Sequence, residues 1–351
     1  MKDIEKFDLF VDLDGTLIKT DILYESVLLL IKNNFFYLFV LPFWWFKGKS
    51  TLKYNIANLV DINPKTLPYN EEFLDYLKQQ YQQGRKIILT TATTEKYAKS
   101  IADYLGIFTE TIASSIDQNI SGTEKLNAIK RHSDKFIYAG NAVIDLKVFP
   151  YAQESIIVNP TYRLKMRLKE LSNVTEYFEF KQNNIWIMLK AARVYQWVKN
   201  SLLFVPLLMS QQFYDSNATL NVVLAFFSFS LLASATYIVN DLIDIPNDRE
   251  HVRKKNRPLA SGSLSIPSAI VMMLTLFISS FIIAININVT FIYGLIFYLA
   301  LTLLYSFKLK SYILMDAISL SLLYTTRIFV GALVINTIPS VWLIAFSMFM
   351  F

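Results

Sequence analysis

Over the first half of the chain, short apolar runs alternate with amphipathic stretches. Phe7–Val11 is the first run, and it closes on Asp12-Leu13-Asp14-Gly15-Thr16. Lys86–Leu89 is a second, ending in Thr90-Thr91-Ala92-Thr93. Phe136–Ala139 is a third, ending in Gly140-Asn141, and Ile156–Val158 is a fourth. Brief apolar runs bounded by Gly, Asp, Asn and Thr predict strands. Glu95–Leu105 and Glu124–His132 between them predict helices. Strands that alternate with helices imply a parallel sheet with both faces covered. Ligands gather at the carboxyl ends of such strands, where the polar clusters stand.

The second half follows another pattern. From Pro258 to Phe307 there is no charged residue, far beyond the roughly 20 apolar residues a membrane helix needs. Spans are predicted at about 195–213, 218–239, 264–286, 289–307, 312–335 and 339–351. The intervening segments 210–217, 286–290 and 336–340 carry no Lys or Arg, whereas 163–200, 241–263 and 307–311 are basic. Basic segments stay cytoplasmic, which puts the N-terminal domain on the cytoplasmic side of a plasma membrane, with the bacterial one expected. The start of the chain, MKDIEKFDLF, lacks the apolar core of a signal peptide.

Composition sharpens this division. The 351 residues are 54% hydrophobic and 18% charged, against about 25% charged in soluble domains. The expected domains are 1–165, a basic linker or interfacial helix over 166–194, and a membrane domain over 195–351. The net charge of +6 is concentrated beside the spans, which favours a membrane surface over nucleic acid. Cysteine is absent and there are only two histidines, His132 and His251. Thiolate sites and histidine clusters are thereby excluded, and any metal must rest on oxygen ligands, as magnesium does.

The polar clusters of the first half resemble the four motifs of the haloacid dehalogenase superfamily. Asp12–Thr16 matches DxDGT, and Thr91 matches the Thr or Ser after the second strand, with Thr90 as alternative. Lys125 matches the helix-borne lysine, and Gly140, Asn141 and Asp145 match GDxxxD. The resemblance covers about residues 7–160 and implies a Rossmann-like α/β fold with a helical cap. It implies that Asp12 attacks phosphorus and that Asp14 protonates the leaving alcohol. Thr91 and Lys125 would hold the phosphoryl oxygens. Mg2+ would sit at Asp12, Asp14 (through its carbonyl), Asn141 and Asp145. Asn141 departs from the family's Asp and removes one ligand charge.

The expected cap, about 20–75, contains an unusual run. Phe35–Phe46 (FFYLFVLPFWWF) is uncharged, aromatic and flanked by Lys32, Lys47 and Lys49. It is too short to span a bilayer. Either it rests in the membrane interface or it packs against the rest of the protein.

The basic segment 241–263 is also acidic at its start. Asp241, Asp244 and Asp248 recur at helical spacing, with Pro246 between them. Clustered carboxylates need a divalent metal or cationic side chains, and the basic run that follows suits phosphate. NDxxDxxxD followed by Arg257-Pro258 and Gly262 resembles the UbiA superfamily, which moves groups to or from polyprenyl lipids inside an all-α transmembrane bundle. Gln196–Asn200, Asp248–His251, Tyr305-Ser306, Lys310, Asp316 and Arg327 resemble its polyprenyl-phosphate phosphoribosyltransferases. That resemblance implies a phosphorylated small-molecule donor, and a metal and pyrophosphate at Asn240, Asp241, Asp244 and Asp248. It also implies phosphate contacts from Lys199, Asn200, Arg249, Lys254, Lys255, Arg257, Lys310 and Arg327. Lys199 and Arg327 stand in or near apolar spans, where charge is costly and usually functional.

UbiA relatives carry about nine helices and a second polar motif further on, so the membrane half is expected to be truncated. Two other readings stand beside the phosphoribosyltransferase. One is a prenyltransferase that uses a polyprenyl diphosphate, and the other is a non-catalytic scaffold.

Overall fold

The computed structural model describes residues 7–116, 118–179, 184–309 and 312–350. The chain divides into two compact units. The first comprises Met1–Gln182, Ile245–Asn256 and Ala260–Ile266; the second comprises Asn183–Asp244, Arg257–Leu259 and Pro267–Phe351.

In the first unit, β1 (Asp8–Val11) is followed by α1 (Ile22–Asn33), α2 (Tyr37–Phe46), α3 (Lys49–Leu59) and α4 (Glu71–Gln82). Then come β2 (Ile87–Thr94), α5 (Glu95–Leu105), β3 (Glu110–Ser114), α6 (Thr123–His132), β4 (Phe136–Gly140) and β5 (Glu154–Val158). A short α7 (Tyr162–Lys165) and β6 (Val174–Phe178) complete it. The six strands are parallel, in the order β3-β2-β1-β4-β5-β6. The chain reverses direction across the sheet between β1 and β4, and a doubly wound sheet opens its ligand crevice at that point.

Alternation along β1 explains the layers. Leu9 and Val11 join Phe73 and Leu77 of α4 and Tyr97 and Ile101 of α5 in one core. Phe10 joins Ile129 of α6, Phe136 and Phe149 on the other face. Successive side chains point to opposite faces, so a fully apolar strand is buried on both sides. The four expected runs all appear as strands. β3 and β6 lack that signature, because they are edge strands whose residues are mostly half-buried or exposed. β6 lies inside the expected linker, so the sheet continues past residue 165. Residues 22–60 form the cap, with a small core of Leu30, Leu52, Ile56 and Val60. α4 belongs to the sheet layers and not to the cap.

The second unit contains α8 (Asn184–Ala191), a stretch of 3-10 turns over Val194–Phe204, α9 (Val205–Met209) and α10 (Ser216–Ile243). α11 (Ile245–Glu250) follows in the chain but lies in the first unit. α12 (Ile266–Ile285), α13 (Val289–Phe307), α14 (Ile313–Val334) and α15 (Val341–Met350) complete the chain. Among the described residues, four helices (α10, α12, α13 and α14) are long and apolar enough to cross a membrane. This is an integral membrane protein. The expected first span is broken, with 3-10 turns giving way to the short α9 at Pro206, which is tolerated in a first helical turn. Gly331 lets α14 meet this segment closely, since a Cβ there would lie 2.3 Å from the Leu203 carbonyl oxygen. Ser228 and Ser280 bond to each other's carbonyls at 2.8 and 2.7 Å, tying α10 to α12 as small polar residues do between membrane helices.

Candidate active sites

The polar ends of β1, β2 and β4 converge in the first unit. Gly15 adopts φ +76° and turns the chain sharply after β1, with Asp12 and Asp14 on either side of Leu13. The two carboxylates have different partners. Lys125 of α6 donates to Asp12 Oδ1 at 2.8 Å. Asp14 Oδ1 accepts the first amide of α1, that of Ile22, at 2.8 Å, and Asp14 Oδ2 accepts the Thr93 hydroxyl at 2.7 Å. Burial pushes the Asp12 carboxyl up to about 7, against the opposing pull of Lys125. Burial and then the neighbouring Asp21 push Asp14 to about 7 as well. A carboxyl near neutral pKa is suited to proton transfer.

Thr91 is buried within β2, where its hydroxyl accepts the Thr93 amide at 3.0 Å. Thr90 is also buried, with its hydroxyl oxygen unpaired. Asp145 has been turned inward. One oxygen accepts the Tyr138 hydroxyl at 2.7 Å, and the other accepts the amides of Asn141 and Ala142 at 3.1 and 2.9 Å. The Tyr138 hydroxyl in turn accepts from Lys125 at 3.0 Å. Asp145 therefore shapes the β4 loop and braces Lys125, where sequence reasoning expected a direct metal ligand. The Asn141 amide lies against Gly15, so that a Cβ there would meet its nitrogen at 2.1 Å.

Among the described residues no three Asp, Glu or His side chains form a metal-binding group. The oxygen donors beside the turn are the Asp12 carboxylate, the Asn141 amide and the Asp14 carbonyl. Hard cations accept such a mixed set, so these residues fit magnesium.

Sequence reasoning missed three residues here: Thr93, Tyr138 and Lys53. Lys53 of α3 donates to the Ala92 carbonyl at 2.6 Å and shares a pocket with Ile22, Ser26 and Thr93. Only proximity in the fold marks it, since no local motif surrounds it.

In the second unit, Asp241 accepts two guanidinium groups at Oδ1, from Arg193 at 2.5 Å and from Arg257 at 3.1 Å. Cationic side chains therefore relieve the acidic cluster at that position. Arg193 was not expected, although its φ of 49° marks it. Asn200 and Arg327 are buried and joined, with Arg327 Nε donating to Asn200 Oδ1 at 2.9 Å and Asn200 donating to Ser230 at 2.9 Å. The rings of Phe229, Tyr298 and Tyr324 surround the Arg327 guanidinium at 5.2–5.6 Å. The ammonium of Lys199 lies 5.6 Å from the Tyr324 ring. Asn240 and Asp244 close α10, and Pro246 sits in the first turn of α11, so the expected single helical face breaks at Asp244.

The other expected residues among those described belong to the first unit. Asp248 is buried in α11, and Lys254 and Lys255 are exposed. Arg249 was expected to bind a phosphate. It instead donates to Glu25 of α1 at 2.8 and 2.6 Å and to the Ala260 carbonyl at 2.9 Å. All three kinds of guanidinium nitrogen are thereby engaged, which gives Arg249 a structural role. Lys310 lies outside the described residues.

Comparison with known proteins completes the picture. Residues 201–351 match the UbiA prenyltransferase family. The uncharacterized protein y4nM of Sinorhizobium fredii is 34% identical over 353 residues, covering 99% of this chain and 67% of that one. The decaprenyl-phosphate phosphoribosyltransferase of Mycobacterium tuberculosis is 35% identical over 170 residues, 46% of this chain and 55% of that protein. The chain thus spans about half the length of that enzyme. Among solved structures, a substrate-bound phosphoserine phosphatase complex is 14% identical, with a TM-score of 0.36, over 54% of this chain and 99% of that one. A UbiA homolog from Archaeoglobus fulgidus bound to DMAPP and Mg2+ is 20% identical, with a TM-score of 0.39, over 46% of this chain and 59% of that one. The membrane half, residues 201–351, thus matches the UbiA prenyltransferase family, and it follows a domain built on a parallel six-stranded α/β sheet.

Proposed function

We propose that the membrane half transfers 5-phosphoribosyl from phosphoribosyl pyrophosphate to a polyprenyl phosphate, and that the soluble half removes the 5-phosphate from the lipid-linked product. The observation that carries the phosphatase reading is the unequal pair Asp12 and Asp14. Asp12 faces a lysine, as a nucleophile attacking a phosphoryl group requires. Asp14 holds a hydroxyl and a helix amide, which aim it as the proton donor to the leaving alcohol. Lys125 neutralises charge on the phosphoryl oxygens, and Thr91 stands in the adjoining strand β2. Magnesium held by Asp12, Asn141 and the Asp14 carbonyl would supply further charge neutralisation.

Similarity to decaprenyl-phosphate phosphoribosyltransferases supports the transferase reading. The paired Asn200 and Arg327 and the half-buried Lys199 fit a phosphate-bearing lipid in the second unit, and Asn240, Asp241, Asp244 and Arg257 fit the pyrophosphate end. The N-terminal domain would face the cytoplasm of a bacterial plasma membrane, as the basic segments suggest.

The test uses membranes containing the full chain, magnesium, polyprenyl phosphate and labelled phosphoribosyl pyrophosphate. Lipid-soluble label that disappears with Asp241→Asn is expected, as is release of its terminal phosphate only while Asp12 is intact. Lipid label appearing only from a polyprenyl diphosphate and another acceptor would favour the prenyltransferase. No turnover of lipid product or aryl phosphate would favour the scaffold.

A further inference from the structure

We infer that α2 is an in-plane membrane anchor of the cap, embedded among anionic lipid headgroups. The helix is apolar all round. Tyr37, Leu41 and Trp44 pack on the small cap core, but no residue of α2 is buried. Phe36, Phe39, Phe43 and Phe46 are 75%, 63%, 69% and 86% exposed, an aromatic face that water would not leave uncovered. Contiguous apolar patches of this kind mark interaction sites.

The occupant follows from length and charge. Ten residues rise about 15 Å, half of the roughly 30 Å of a bilayer core, so the helix lies in the surface and does not cross it. Lys32, Lys47 and Lys49 flank it, with Lys49 placed 5.5 Å from the Trp45 ring. Cations beside aromatic side chains complement anionic headgroups, and four other helices among the described residues are themselves long and apolar enough to span the membrane. Helices α1 and α3 of the same cap line the pocket beside Asp14 through Ile22, Ser26 and Lys53. The anchor would therefore hold that pocket at headgroup depth, whichever reaction the membrane half performs.

The chain has no cysteine, so one introduced thiol is unique. Full-length Phe39→Cys, Phe43→Cys and Phe46→Cys would each be spin-labelled and placed in nanodiscs of phosphatidylcholine and phosphatidylglycerol. Ile278→Cys on the lipid-exposed α12 and Tyr54→Cys on α3 serve as membrane and water references. Labels on α2 are expected to collide more with oxygen than with a water-soluble nickel chelate, as at Ile278. Nickel-dominated collisions like those at Tyr54 would overturn the inference. Protection from both reagents would overturn it too, because a protein cover would then occupy the face.

Discussion

Arg249 grips Glu25 with both terminal guanidinium nitrogens, at 2.8 and 2.6 Å, and both side chains are almost fully buried. One partner belongs to the Asp-Arg-Glu-His stretch that resembles a transferase motif, the other to α1, the first helix of the first unit. Residues 245–256, which follow α10 in the chain, are therefore held in the first unit by a charge pair.

Breaking one side of such a pair leaves a buried charge uncompensated, which typically costs about 3–5 kcal/mol. Glu25→Gln and Arg249→Gln are each expected to lower the unfolding midpoint of the first unit and expose residues 245–256 to protease. The Glu25→Arg/Arg249→Glu double variant is expected to recover part of the loss. Additive losses in the double variant would show that the pair does not act as a unit.

Gly15 and Gly84 make an internal contrast. Both have positive φ, +76° and +80°, but a Cβ at Gly15 strikes Asn141 whereas one at Gly84 meets nothing. Gly15→Ala and Gly84→Ala should each cost about 1–2 kcal/mol through backbone conformation. Only Gly15→Ala should also displace the Asn141 amide, with at least a tenfold fall in kcat on a small aryl phosphate and a weaker response to magnesium. Equal kcat in the two variants would remove Asn141 from the site.

The bond between Arg327 and Asn200 is buried in apolar surroundings, where an unsatisfied partner costs about 1–3 kcal/mol. Arg327→Lys keeps the charge and cannot reproduce the Nε donor. A double-mutant cycle of Arg327→Lys and Asn200→Ala, read by thermal unfolding in detergent, should give a coupling of about 0.5–3 kcal/mol. A coupling of zero would mean that the two residues act separately.

His132 closes α6 and bonds Glu110 at 3.0 Å, and that bond raises its pKa above the ordinary 6.5. A raised folded-state value adds stability that is complete below 6.5 and is lost as pH rises through the folded value. The side chain is largely solvent-exposed, so the effect should be small. The stability difference between the native chain and His132→Gln should shrink on going from about pH 6 to about pH 8.5. A difference that stays constant with pH would assign the bond no ionic part.

The sequence by itself determined the features that local chemistry writes down. Asp12-Leu13-Asp14-Gly15-Thr16 had to be a turn after a strand, because an apolar run ends there on a glycine. The charge-free stretch from Pro258 had to be membrane-spanning, because neither helix in it could leave the bilayer without exposing apolar surface. The tertiary structure decided whatever depends on partners far apart in the chain. β3 and β6 became strands only because a neighbour offered them hydrogen bonds, which their mixed composition does not announce. Asp145 and Arg249 fitted their motifs as ligands, yet each is occupied by groups that folding brings to it. A carboxylate or guanidinium takes whatever complementary charge lies within hydrogen-bond reach, and spacing along the chain cannot say which that will be.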